Sequence, residues 1–127
     1  MSGENGGKSA ARDIGAAGED RAAAFLAAAG YRIITRNFHS RLGEIDIIAQ
    51  KDAYIVFVEV KARKNGSMVG GIEAVSISKQ RKIIKTALFY MGGHRCNLQP
   101  RFDIIEVLPT RINHLQNAFD AEGVYGF

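Results

Sequence analysis

Tyr54-Ile55-Val56-Phe57-Val58-Glu59-Val60-Lys61-Ala62 is the stretch that decides the fold. Its valine, isoleucine and phenylalanine content is that of a β-strand, and the apolar run is continuous rather than alternating, as in a strand covered on both faces. A charge inside such a run is costly unless something pairs it, yet Glu59 and Lys61 both stand in this one. Side chains alternate along a strand, so the two share a face, about 7 Å apart at two strand rises. Upstream, Gly43-Glu44-Ile45-Asp46-Ile47-Ile48 repeats the anomaly, with an acid flanked by isoleucines. A two-residue hairpin turn at Lys51 and Asp52 would set Gln50 against Ala53, Asp46 against Phe57 and Glu44 against Glu59. Asp46, Glu59 and Lys61 then lie on one face, with the two acids diagonal neighbours. A turn of odd length would reverse the parity and separate them.

Working outward, residues 31–38, 44–50 and 54–62 read as three strands of a meander. Before them, Ile14, Ala17, Ala22, Phe25, Leu26 and Ala29 recur at helical spacing in an alanine-rich stretch, predicting a helix over residues 10–29 that Gly30 ends. Residues 64–71, with three glycines, read as a flexible loop after the third strand. Ser78 is placed to cap a second helix running to Met91, with Ile84, Ala87, Leu88 and Met91 as its inward stripe and Gly92 and Gly93 closing it. Residues 101–108 form a last strand before Pro109. The order helix, three strands, helix, strand implies an α/β (α+β) domain, a mixed β-sheet flanked by helices. The expected organisation is a leader at residues 1–9, the domain proper at 10–109, and a tail at 110–127 with a short helix around Leu115 and Phe119 packed on the domain.

At 127 residues the chain is the size of one domain. With 46% hydrophobic and 24% charged residues it lies far from the composition of disordered chains. The net charge of +4 and pI of 9.4 suit a polyanionic partner. Cys96 is the single cysteine, which excludes an internal disulfide and a cysteine-based zinc site and fits a reducing cytoplasm. No apolar run approaches the roughly 18–20 residues of a membrane span, and Met1 to Lys8 reads as polar rather than as a charged start followed by a signal-peptide core.

Two close carboxylates repel, which raises the pKa of one of them unless a cation favours both ionised forms. Hard oxygen donors suit Mg²⁺ or Mn²⁺. Such an ion beside a lysine ammonium is a constellation for phosphodiester hydrolysis. Against this stands the reading of Asp46, Glu59 and Lys61 as a buried salt-bridge network on an inert sheet. Lys79, Arg81, Lys82 and Lys85 crowd the second helix, and with Arg63 and Lys64 they form a set able to track a phosphate backbone; a charge run on a helix is otherwise its wet side. His39, His94 and His114 lack metal-ligand spacing and read as surface or loop residues. Arg101 and Asp103 read as pairing with neighbours at the sheet edge.

An acid, about a dozen residues, then Glu-x-Lys closing a hydrophobic strand resembles the PD-(D/E)xK signature of restriction-endonuclease-like nucleases. More closely, residues 11–108 resemble the YraN family of small bacterial proteins, similar to archaeal-type Holliday junction resolvases. The likeness is carried by Gly18-Glu19, Gly43-Glu44-Ile45-Asp46, Glu59-Val60-Lys61, Lys79-Gln80 and Arg101-Phe102-Asp103. Ile45 stands where the signature's name has proline. The resemblance implies Asp46 and Glu59 as metal ligands, Lys61 as the catalytic lysine, Glu19 as a further metal-binding acid reaching in from the first helix, and Mg²⁺ or Mn²⁺ as cofactor. Glu19 stands seven residues before Leu26, near the same helix face, and Gln80, four before Ile84, points inward as a further site residue. The activity implied is endonucleolytic cleavage of DNA, branched or structured DNA included. The alternative is a nucleic-acid-binding or scaffold module without turnover. Junction cutters act as symmetric pairs, so a homodimer is compatible, although nothing in the sequence identifies an interface.

Overall fold

A computed structural model describes residues 6–63, 75–94 and 96–125, with side chains from residue 15 onward. The elements run α1 (Gly6–Ala28), β1 (Arg32–Ser40), β2 (Gly43–Lys51), β3 (Tyr54–Ala62), α2 (Ile77–Gly93), β4 (Gln99–Val107), β5 (Ile112–Phe119) and α3 (Ala121–Tyr125). One five-stranded sheet has the order β1-β2-β3-β4-β5. The β1-β2, β2-β3 and β4-β5 pairs are antiparallel and β3-β4 is parallel. The parallel pair follows from topology, since the chain leaves β3 and must cross back through α2 before β4 begins.

The sheet is covered on both sides, which accounts for the unbroken apolar run of β3. On one face α1 packs Ala22 and Leu26 against Ile47, Ala49, Val56, Val58, Ile105 and Val107. On the other, α2 packs Ile83, Ile84, Ala87 and Tyr90 against Ile48, Ile55, Phe57, Phe102 and Ile104. Consecutive β3 residues Ile55, Val56, Phe57 and Val58 are therefore all buried, alternately beneath α2 and α1.

Gly30 ends α1 as expected. Its φ of 93° lets Tyr31 N donate to Leu26 O at 2.9 Å and Gly30 N to Ala27 O at 3.1 Å, which is a Schellman closure. The helix begins at Gly6, four residues before the expected start. The cap of α2 is Ser76 rather than Ser78, its side chain accepting from Lys79 N at 3.1 Å. The expected loop at residues 64–71 lies outside the described residues.

The tail differs most from expectation. Leu115 and Phe119 lie in β5, an edge strand on β4, and the short helix comes after them as α3. Phe119 earns its burial by stacking on Phe102 with ring centroids 5.4 Å apart, and Val124 of α3 joins the α2-side core.

One contact fixes how closely α1 lies on the sheet. A Cβ placed on Gly18 would meet Ala62 Cβ at 2.8 Å, closer than two carbons can approach. Gly18→Ala is expected to lower the unfolding free energy by about 1–3 kcal/mol through overpacking. Adding Ala62→Gly to that chain should recover much of the loss, and a double-mutant cycle in urea that shows strictly additive effects would refute the contact.

Candidate active site at the fork between β2 and β3

The β2-β3 ladder runs from Lys51↔Tyr54 to Ile47↔Val58. The turn is therefore Asp52 and Ala53, one residue later than expected, with Asp52 at a left-handed φ of 54°. The correction moves the continuation partner of Asp46 from Phe57 to Glu59. A shift of two residues keeps the parity, so the two acids still meet.

They meet where the strands part. Beyond Ile47↔Val58 the ladder stops, and Asp46 Oδ2 accepts the Val60 N–H at 2.8 Å, a side chain replacing the missing backbone partner. Regular alternation also breaks here: Ile45 belongs to the α2-side core and Ile47, two residues on, to the α1-side core. Across on β1, between the pairs Arg36↔Ile47 and Phe38↔Ile45, Asn37 has a left-handed φ of 53°. The kink aims the Asp46 carboxylate into the fork instead of onto either face.

Glu59 is 5% exposed, with Oε2 3.5 Å from Lys61 Nζ and 3.7 Å from Lys79 Nζ. Burial, and then the Asp46 charge, push its carboxyl up to about 7 although both lysines pull the other way. Burial raises Asp46 too, against the opposing Val60 N–H. Glu19 is raised by burial and then by Asp46, which puts it in the same electrostatic neighbourhood from the α1 side. Burial thus outweighs the two lysines and disfavours ionisation of the pair, a condition that a bound cation relieves.

Asp46 and Glu59 thus fit a hard divalent cation as two oxygen donors. The third expected donor is held elsewhere. Arg36 Nη2 lies 3.6 Å from Glu19 Oε1 and 2.8 Å from Asp20 Oδ1. Among the described residues no group of three or more His, Cys, Asp or Glu side chains is assembled to hold a metal. Gln80 is buried as expected, but its Nε2 donates to Val75 O at 2.9 Å, so that donor braces the chain entering α2 rather than reaching the carboxylates.

Of the basic residues, Lys79 and Lys82 line a groove of about 280 Å³ beside the fork, facing His39, Ser40, Gly43 and Glu44 of the β1-β2 hairpin. His39 Nδ1 and Glu44 Oε2 pair at 3.0 Å along the hairpin wall of this groove, so Glu44 is a neighbour of the acids and not part of the pair. Arg63 follows Lys61 out of β3; its backbone N donates to Val107 O at 2.9 Å, while its buried Nε has no hydrogen-bond partner among the described residues. Arg81 turns the other way, Nη2 reaching Val124 O at 3.5 Å with the guanidinium over the Tyr125 ring, and so holds α3 against α2. Lys85 is exposed one helical turn beyond Arg81, away from the groove, and Lys64 lies outside the described residues.

Sequence reasoning missed Arg36 and Asn37, which hold Glu19, and it missed the contribution of His39 and Ser40 to the groove wall. His39↔Glu44 is a cross-strand pair, so correct pairing of β1 with β2 was the one signal able to find it. His114 is also not a surface residue: its side chain is 8% exposed and its Nε2 donates to Asp103 at 2.7 Å.

The fold and fork together define a small mixed-sheet protein with a carboxylate pair, Glu59 buried and Asp46 half-buried, and a strand-borne lysine between two helices. Residues 18–107 match the family model described as uncharacterised protein family UPF0102. The chain belongs to that family, which is the YraN family. It is 45% identical over 107 residues to the UPF0102 protein of Lachnoclostridium phytofermentans, covering 83% of this chain and 91% of that one. Against the UPF0102 protein of Persephonella marina it is 46% identical over 109 residues, 85% and 94% of the two chains. The UPF0102 protein of Myxococcus xanthus is 38% identical over 115 residues, 87% and 91%. Among the described residues no helix is long and apolar enough to cross a membrane.

Proposed function

We propose that the protein is a metal-dependent endonuclease that hydrolyses phosphodiester bonds in DNA, with branched or structured DNA as its substrate class. The observation that carries this reading is the Asp46-Glu59 pair at the strand fork, both carboxyls raised chiefly by burial and Glu59 further by the Asp46 charge, with Lys61 Nζ 3.5 Å from Glu59. A carboxyl that stays hard to ionise with two lysine ammonium groups beside it suits a site completed by a cation better than a settled ion pair.

Asp46 and Glu59 would hold Mg²⁺ or Mn²⁺, which supplies Lewis-acid stabilisation of charge on a phosphate oxygen. Glu19 would join them by exchanging Arg36 for the ion. Lys61 orients the attacking water or neutralises charge gathering at phosphorus, a role open to an ammonium that is one-third exposed. Lys79, Lys82 and Arg63 hold the backbone beside the fork. Lys85 and Arg81 contribute at most to long-range attraction. The resemblance, rather than the geometry, supplies DNA and junctions as the substrate, together with the homodimer.

Cleavage of labelled linear, flapped, single-stranded and four-way-junction DNA in Mg²⁺, Mn²⁺ or EDTA tests the reading. Metal-dependent products that disappear in Asp46→Ala and Lys61→Ala are expected, each change lowering the rate by about 10²–10³-fold. Products that persist in both variants would assign the activity to a contaminant. A binding module without turnover is the second reading, favoured by the hold of Arg36 on Glu19. Tight, salt-sensitive binding with no cutting under any metal would select it.

A further inference from the structure

A second cluster lies on the α1 side of the sheet, at the end where β3 begins and away from the fork. Asp103 of β4 is fully buried and accepts four hydrogen bonds: from Arg101 Nε at 3.0 Å, Arg101 Nη2 at 2.8 Å, His114 Nε2 at 2.7 Å and Asn117 N at 2.9 Å. Arg101 Nη2 also donates to the Tyr31 hydroxyl at 2.6 Å, and the guanidinium lies over two rings, 5.6 Å from Tyr31 and 5.3 Å from Tyr54. Arg101 Nη1 has no partner among the described residues. These bonds fix the guanidinium rigidly and leave one edge of it uncommitted.

Arg101 lines two adjoining cavities, of about 350 Å³ and 770 Å³, which also share Tyr54 and Gln116 as walls. Both volumes fall in the range of about 300–1,000 Å³ usual for small-molecule sites. The smaller is also walled by Phe25, Tyr31 and His114. Tyr54, which both cavities share, is 39% exposed.

We infer that this cavity binds an unstacked nucleobase. Tyr54, exposed and with the Arg101 guanidinium over one face of its ring, offers the other face as a stacking platform, and base-on-aromatic stacking tolerates any base because each has a π-face. The fixed Arg101 edge and the Gln116 amide present donors and an acceptor to a ring's polar rim. The charge balance argues against a free phosphate as ligand. Asp103 neutralises Arg101, while Lys51 donates its Nζ to Ala29 O at 2.5 Å and shares the rim with Asp52. A neutral planar heterocycle matches a site with no net positive charge, and an unpaired base is such a group. The inference stands on this cavity alone and does not need the fork to be catalytic.

The probe is 2-aminopurine riboside, which carries no phosphate and is therefore blind to the Lys79 and Lys82 groove, titrated in EDTA. Its fluorescence should fall saturably as it stacks, and the protein's tyrosine emission should change with it, since the chain has four tyrosines and no tryptophan. Tyr54→Ala should weaken binding about tenfold and Tyr54→Phe should leave it within about twofold, as expected for stacking. Amide chemical-shift mapping on the unaltered protein should place the shifts at Tyr31, Tyr54, Arg101 and Gln116, and decides the matter even if Tyr54→Ala fails to fold. No saturation up to millimolar riboside, equal affinity in Tyr54→Ala, or shifts confined to the groove by Lys79 would overturn the inference.

Discussion

Asp103→Ala is expected to cost about 3–5 kcal/mol of unfolding free energy at pH 7, the loss typical when one partner of a buried ion pair is removed. The carboxylate has no exposure and joins β4 to β5 through His114 and Asn117 and to the end of α1 through Arg101 and Tyr31. Burial alone would raise its pKa, but the hydrogen bonds from His114, Arg101 and Asn117 outweigh that and hold it below the ordinary carboxylate value. The sign follows: a depressed folded pKa contributes stability that is present above the unfolded value near 4 and is lost as pH falls below it. Urea unfolding at pH 7 should show the full loss in Asp103→Ala, and acid titration of the unaltered protein should show the contribution fading only below about pH 4. Replacing both partners, Arg101→Met with Asp103→Leu, should restore much of the stability because no uncompensated charge remains. A double variant no more stable than Asp103→Ala would show that the network acts by some route other than charge burial.

How much of this was legible in the sequence varies with how many faces of each element are buried. β3 is covered by both helices, so its composition alone identified it, and the two charges inside it stood out. β5 is a polar edge strand, Ile112 to Phe119, interrupted by a register shift opposite Phe102 and Ile104 and by a left-handed Asn117, and no period survives that treatment. The hairpin turn fell one residue late because Lys51-Asp52-Ala53 contains no glycine to mark it; Asp52 takes the left-handed conformation, which a short polar side chain tolerates. The pairing of Asp46 with Glu59 followed from parity and was insensitive to that slip, whereas the break in alternation between Ile45 and Ile47, which turns Asp46 into the fork, left no trace in the sequence. The grip of Arg36 on Glu19 was not legible, because the direction of Arg36 depends on the β1 irregularity at Ile33 and Thr35 and on Asn37 beside it. Local backbone departures of this kind gather where a strand stops obeying its period, and here that place is the fork.

Glu59→Gln separates the two accounts of the fork, because they predict opposite signs. If Glu59 serves as the inert partner of Lys61 and Lys79, neutralising it breaks a buried ion pair and should destabilise the fold by about 3–5 kcal/mol at every pH above 5. The raised carboxyl predicts otherwise. A group at about 7 in the folded chain against an ordinary 4.5 favours folding fully below pH 4.5, and the contribution is lost as pH rises through 7. The difference corresponds to about 3 kcal/mol over that window, of which about 1.4 kcal/mol falls between pH 6 and pH 8. Metal-free protein should therefore unfold more readily at pH 8 than at pH 6. Glu59→Gln should abolish most of that dependence and be at least as stable as the parent at pH 8. Mg²⁺ or Mn²⁺ should stabilise the parent at pH 8 by binding the ionised pair, and should do so weakly or not at all in the variant. DNA cleavage should meanwhile fall by about 10²–10³-fold. Stability gained by removing a charge, together with activity lost, is the pattern of a group held at a site against the preference of the fold. Destabilisation of Glu59→Gln at pH 8 with cleavage unimpaired would instead make Glu59 a structural residue and remove the carboxylate pair from the mechanism.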